Sequence, residues 1–173
     1  MDEVSYVLRA LVGEVGEKVL MLLLEHEEGL DDEEIAEKLG LRINDVRRAL
    51  YELAKMGFVE QQRIARGELA RHSYRWRTDK GMIARALLQR KRATLKKLEE
   101  RLAVEESSVL YLCPIDGYRY TFDEAFENYF TCPRCGSDLI EINNEEIKKV
   151  LRQLVDKLRE EIARDEAALS RSV

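Results

Sequence analysis

The sequence predicts a mostly α-helical chain with small β parts. The expected order is an N-terminal winged helix-turn-helix, a long linker helix, a small ribbon-like β module and a C-terminal helix. Three features carry that expectation. Apolar residues recur at helical spacing through most of 4–56, through 80–106 and from 145 onward. Between the first two stretches the pattern changes to β-type alternation, with aromatic and polar residues alternating over 72–77. All three cysteines and both prolines fall within 109–142, among short β-prone pieces.

Taken in order, residues 4–11 read as a helix, Gly13 and Gly16 loosen the chain, and Val19, Leu20, Leu22, Leu23 and Leu24 build a more buried helix ended by Glu28-Gly29. Asp31 or Asp32 caps the next helix, and Glu33 and Glu34 suit its first turn. Ile35, Ala36 and Leu39 form its inner face and Gly40 stops it. Asn44 reads as the N-cap of a third helix that buries Val46, Ala49, Leu50, Leu53 and Met56 and closes at Gly57. Phe58–Ile64 reads as a strand, 65–71 as a turn and 72–77 as the returning strand. Helix, helix, turn, helix and hairpin is the order of a winged helix-turn-helix.

Residues 80–106 contain no proline and no glycine after Gly81. Leu88, Leu95, Leu98 and Leu102 give part of a heptad that Lys91 interrupts, so the stretch is a lone helix or one member of a helical pair. After Glu145, a stripe of Ile147, Leu151, Leu154, Leu158 and Ile162 offers a face that can dock on it. The divisions are therefore 1–79 for the winged helix, 80–108 for the linker, 109–142 for the ribbon-like module and 143–173 for the last helix.

A chain of 173 residues with 45% apolar content suits one ordinary domain or two small ones. Charged residues at 36% exceed the usual share of about 25%, which favours helix. No apolar run reaches the roughly 18 residues that cross a bilayer, so no membrane contact is expected. The acidic opening Met-Asp-Glu-Val-Ser lacks the basic start of a secretory signal. A reducing, cytoplasmic setting follows as the expectation. No phosphate-cradling, dinucleotide or serine-hydrolase motif is present, and the lone His26 and His72 have no catalytic partner in view, so no enzyme is expected.

Charge is distributed unevenly. Residues 1–41 carry three Lys/Arg against 12 Asp/Glu (−9), 42–101 carry 17 against seven (+10) and 102–173 carry nine against 15 (−6). The basic middle suits an anionic partner or an acidic protein surface. On the third helix, Arg47 and Arg48 can meet phosphates or base edges, but Asp45 and Glu52 dilute that charge and argue against tight sequence-specific reading. The hairpin is more basic, with Arg63, Arg66, Arg71, Arg75 and Arg77. Trp76 reads as core and the arginines as anion-contacting.

Cys132-Pro-Arg-Cys135-Gly136 has the form of a metal knuckle, in which a tight turn brings two thiolates onto one ion. The upstream counterpart is Cys113-Pro-Ile-Asp116-Gly117, separated from it by the expected spacing of a zinc ribbon but with Asp116 at the second ligand position. Three readings stay open. Cys113, Asp116, Cys132 and Cys135 hold one structural zinc ion; three cysteines and a water hold it; or no metal is held and Tyr111, Tyr118, Tyr120, Phe122, Phe126 and Phe130 hold the module by packing. A catalytic zinc is disfavoured, because no histidine or acid–base pair lies nearby.

The order of parts, with Tyr111-Leu-Cys-Pro, Tyr118-Arg-Tyr-Thr-Phe-Asp-Glu-Ala125 and Phe130-Thr-Cys-Pro-Arg-Cys-Gly136, resembles the archaeal transcription factor E family, counterpart of the large subunit of eukaryotic TFIIE. The resemblance covers essentially the whole chain. Asp116 departs from it, since the family has a cysteine there. The resemblance implies a basal initiation factor that joins RNA polymerase at its clamp and stalk, TATA-binding protein and transcription factor B. It implies help with promoter opening and contact with the non-template strand of promoter DNA. It leaves open a monomer and a heterodimer with a smaller subunit. Two other classes are a winged-helix DNA-binding repressor and a polymerase adaptor without DNA contact.

Overall fold

The structure, a computed structural model, describes residues 3–64, 73–107 and 109–171. It divides into two compact units, Met1–Gln89 with Arg171–Val173, and Arg90–Ser170. The turn expected at 65–71, with Arg66 and Arg71, and His72 lie outside the described residues.

In the first unit, α1 (Glu3–Leu24) is broken at Gly13, whose φ of 72° no helix continues through. A short turn leads to α2 (Asp32–Leu39). Asp31 and Glu34 form its capping box, and Gly40 ends it in the left-handed conformation. The next helix, α3 (Ile43–Lys55), starts two residues earlier than an N-cap at Asn44 predicts: Arg42 is the N-cap and has no side-chain cap bond. The Arg42 carbonyl already accepts from the Asp45 and Val46 amides, and Asp45 places its negative charge in the first turn, where the helix dipole favours it.

The hairpin pairs β1 (Glu60–Ile64) with β2 (Ser73–Arg77) in antiparallel register, Gln61 opposite Trp76. Phe58 and Val59, expected in the strand, instead enter the core just before it. Leu30 adds a one-residue third strand, exchanging both backbone hydrogen bonds with Trp76. Three helices and a hairpin on one core make this a winged helix-turn-helix. That core holds Leu20, Leu23, Ile35, Val46, Leu50, Leu53, Phe58 and Trp76, with Ile83 and Ala86 from the start of α4 (Lys80–Ser107). Trp76 is 6% exposed, as expected of a core residue.

Gly29 sits where the chain meets β2. Its φ is 76°, and a Cβ there would lie 2.7 Å from the Trp76 carbonyl oxygen and 2.7 Å from Arg77 Cγ. The Gly29→Ala variant is therefore expected to lose about 2–3 kcal/mol, from left-handed backbone plus overpacking. Urea unfolding followed by fluorescence of Trp76, the single tryptophan, measures it; an unchanged midpoint would contradict the close approach.

In the second unit, α4 from Arg90 onward pairs with α6 (Glu145–Ser170), so the linker is one member of a helical pair. The two run antiparallel, joined by Lys91 to Asp165 (2.8 Å) and Glu161 (3.2 Å), Arg92 to Glu166 (2.6 Å), Glu99 to Arg159 (2.7 Å) and Glu106 to Arg152 (2.7 Å). The inner stripe of α6 differs from the expected one. Val155 and Ile162 are buried and Leu151 and Leu158 half-buried, while Ile147 and Leu154 face solvent. Burial follows the 4-3-4 spacing from Leu151, which leaves Leu154 on the outer face.

A three-stranded antiparallel sheet, ordered β4-β3-β5, lies between the two helices in sequence: β3 (Leu110–Leu112), β4 (Arg119–Thr121) and β5 (Ile140–Ile142). A short helix, α5 (Phe122–Glu127), follows β4 and is capped by a Thr121–Glu124 capping box. The core here is small: Cys113, Tyr120, Ala125, Cys132 and Leu139, with Tyr111 and Phe130 against it.

Candidate metal centre and nucleic-acid interface

Two turns of the ribbon share one backbone pattern. The Cys113 amide donates to Tyr118 O (2.9 Å) and the Gly117 amide to Cys113 O (3.0 Å). The Cys132 amide donates to Ser137 O (2.8 Å) and the Gly136 amide to Cys132 O (2.8 Å). Gly117 and Gly136 both hold left-handed backbone, φ 70° and 76°. The first turn thus keeps the full knuckle geometry although Asp116 stands where a second thiol is expected.

The structure brings all four expected residues together. One donor atom from each of Cys113, Asp116, Cys132 and Cys135 lies within 4.8 Å of the others, so the set can hold a metal ion. Cys113 Sγ is 3.4 Å from Cys135 Sγ, and Cys132 Sγ is 3.5 Å from Asp116 Oδ2. A tetrahedron with Zn–S bonds of roughly 2.3 Å needs donors roughly 3.8 Å apart, so three sulfurs and one oxygen at these separations fit a four-coordinate structural site.

The electrostatics suit anionic ligands. The Tyr118 amide donates to Asp116 Oδ1 (2.8 Å), and this bond more than any other holds the Asp116 carboxyl below its usual range. That leaves Oδ2 toward the sulfurs, with Arg134 Nε 3.6 Å away. The Ser137 hydroxyl, 3.2 Å from Cys135 Sγ, together with the Ser137 amide and Cys113, lowers the Cys135 thiol to about 7. Burial pushes the Cys113 thiol up. Tyr120 Oη sits 3.3 Å from Cys132 Sγ, and this contact raises the phenol. Ser137 was not singled out from sequence; its place directly after Cys-Pro-Arg-Cys-Gly is the signal that finds it. Hydrogen-bond partners behind the ligands, such as Ser137 and Tyr120, orient them and set their basicity.

The arginines expected to meet an anion are placed differently. Arg47 is hydrogen-bonded to Asp32 at the start of α2. Arg75 makes two bonds to Glu34, 2.9 and 3.0 Å. Both are thus engaged within their own unit. Arg48 is exposed on α3 and Arg63 is exposed on β1. Between α2, α3 and the hairpin lies a cleft of about 330 Å³, lined by Asp31, Asp32, Glu33, Arg47, Tyr51, Gln61, Tyr74 and Trp76. Carboxylates and aromatic rings, rather than free cations, dominate that face.

Among the described residues, no helix is long and apolar enough to cross a membrane. The family model of the TFIIE alpha subunit matches residues 2–107. Transcription factor E of Metallosphaera sedula is 41% identical over 157 residues, 91% of this chain and 89% of that protein. Transcription factor E of Sulfurisphaera tokodaii is 37% identical over 155 residues, 90% and 87% of the two chains. Among solved structures, one described as a transcriptional regulator superposes with a TM-score of 0.51 at 19% identity, covering 97% of this chain and 91% of the other. A possible transcriptional regulator from Methanosarcina mazei superposes with a TM-score of 0.50 at 15% identity, covering 61% and 90%. At those identities the likeness concerns the fold alone. The family match and the archaeal relatives, spanning about nine-tenths of both chains, settle descent: this chain belongs to the TFIIE alpha family of transcription factors.

Proposed function

We propose that the protein is a basal initiation factor that joins RNA polymerase, TATA-binding protein and transcription factor B at a promoter and favours opening of the DNA. The observation that carries this reading is the union, in a TFIIE alpha family chain, of a winged helix with a ribbon whose two knuckles gather four metal-type donors. The wing arginines Arg63, Arg66 and Arg71, with Arg48 on α3, are the residues to set against the non-template strand. Arg47 and Arg75 enter such a contact only by exchanging Asp32 and Glu34 for phosphate. Contacts made only with melted DNA shift the closed–open equilibrium, about tenfold for each 1.4 kcal/mol of differential affinity. Cys113, Asp116, Cys132 and Cys135 are the residues to hold one structural zinc ion, which when bound ties the two knuckles together.

A second reading, a polymerase adaptor with no DNA contact, draws on the same Arg47–Asp32 and Arg75–Glu34 pairs, which engage two of the candidate cations within the unit. Charge reversal separates the two. With Arg66→Glu and Arg71→Glu combined, promoter opening is expected to fall about tenfold while polymerase affinity stays near wild type. Permanganate reactivity of the promoter, read beside a polymerase pull-down, measures both. Equal loss of both, or loss of neither, would favour the adaptor.

A further inference from the structure

Phe122 and Phe126 lie on successive turns of α5 and stack, ring centroids 6.0 Å apart and planes 13° from parallel. Behind them, Phe130 sits 6.0 Å from Phe122, 6.3 Å from Phe126 and 5.1 Å from Tyr111. The inner pair, Tyr111 and Phe130, packs against the small core. The outer pair does not: Phe122 is 42% and Phe126 64% exposed, and neighbouring Tyr129 is 90% exposed. Tyr129 and Phe130 both have left-handed backbone, φ 52° and 57°, which side-chain-bearing residues seldom adopt. The Phe130 amide meets the Ala125 carbonyl at 2.7 Å, so the turn carries Phe130 back to the cluster while Tyr129 stays in solvent. A module with so small a core has reason to bury such rings; contiguous aromatic surface left outside marks a contact site.

We propose that this face of the ribbon docks a protein surface that presents apolar side chains flanked by lysine or arginine. The flanking charge names the partner's chemistry. Asp123 and Glu127 follow the two phenylalanines one position on, a helical turn apart, and both are exposed. Among the described residues neither has a cationic partner, whereas Lys91, Arg92, Arg152 and Arg159 on α4 and α6 are each matched to a carboxylate. Helix α5 carries no cation. Two unneutralised carboxylates beside the rings attract a basic protein surface and repel phosphates, so stacking of nucleic-acid bases here is disfavoured. The inference rests on the reading that the chain joins RNA polymerase, and it assigns the ribbon's aromatic face to that contact.

The test uses the full chain, with RNA polymerase from its own source as the probe. Two variants are compared with wild type, Phe126→Ala and the double reversal Asp123→Lys with Glu127→Lys. Polymerase affinity is expected to fall about tenfold in each, and the reversal is expected to lessen the salt dependence of binding. Wild-type affinity in both variants would overturn the inference while leaving the polymerase reading standing. Absence of binding by wild type would overturn that reading and the inference with it. If Phe126→Ala spares polymerase affinity but weakens binding to single-stranded oligo(dT), the face stacks bases and the proposal fails. Should Phe126→Ala lower the far-UV melting transition, the double reversal decides alone, because Asp123 and Glu127 are both exposed.

Discussion

Replacing Glu105 with glutamine is expected to destabilise the second unit by about 3–4 kcal/mol, because it leaves two arginines facing a neutral buried amide. Glu105 is 0% exposed near the end of α4. Its carboxylate accepts from Arg119 on β4 at 2.9 and 3.2 Å and from Asn144, just before α6, at 2.7 Å, and forms an ion pair with Arg101 at 2.6 Å. Asn144 also donates to the Glu105 carbonyl at 3.0 Å. One side chain therefore ties the sheet and both helices of the unit. Burial pushes the Glu105 pKa up, but the bonds from Asn144 and Arg119 and the two guanidinium charges outweigh it, and the net direction is below 4.5. A folded pKa below the unfolded one means the stabilisation is complete above about pH 4.5 and is lost as pH falls through the folded value. The gap between wild type and Glu105→Gln should thus be widest near neutrality and close on acidification. Far-UV circular dichroism follows the helices of both units and Trp76 fluorescence the first alone, so the second unit's transition is the part of the dichroism change with no counterpart in fluorescence. A Glu105→Gln variant that melts like wild type at pH 7 would refute the buried clasp.

Stripping the proposed zinc ion is expected to have the larger effect on the ribbon. Structural zinc supplies apparent binding energies of about 10–16 kcal/mol in small zinc-dependent folds, and all of it becomes folding energy. The ribbon core beyond its cysteines is Tyr120, Ala125 and Leu139 with two half-buried aromatics, too little to stand alone. Elemental analysis of the purified chain should find one zinc per chain. Chelator or Cys132→Ser should abolish the second unit's cooperative transition and leave the Trp76 signal intact. Asp116→Cys should raise zinc affinity at least about tenfold, because thiolate is the softer ligand. Since thiols must deprotonate to bind, zinc affinity should fall on acidification. A chain free of zinc whose melting ignores both chelator and Cys132→Ser would show that aromatic packing holds the ribbon.

Much of this was legible in the sequence, for reasons that differ along the chain. The Asp31 cap, the Gly40 stop and the break near Gly13 follow from local backbone chemistry, which sequence displays directly. The four-donor cluster was legible because knuckle spacing is a local property, and the Asp116 substitution does not disturb the turn that displays it. The start of α3 was misplaced because Asp45 does by charge what a side-chain cap at Asn44 was expected to do by hydrogen bonding. The pairings of Arg47 with Asp32 and Arg75 with Glu34 join residues 15 and 41 positions apart, and no local pattern announces them. Glu105 is an intermediate case. Its place in the series Leu95, Leu98, Leu102, Glu105 puts a charge on an apolar seam, just as Lys91 does, and each charge turns out to be partnered there. A charged residue at a heptad seam is thus a readable sign of an ion pair, though not of the partner's identity.

Promoter opening is the step at which this chain is proposed to act. The most direct test assembles RNA polymerase, TATA-binding protein and transcription factor B from the same source on promoter DNA, with and without the full zinc-loaded chain. Permanganate reactivity of unpaired thymines is then read together with the chain's retention on polymerase. The chain is expected to be retained and melting to increase. Retention with unchanged melting would leave an adaptor, and no retention would rule out an initiation factor.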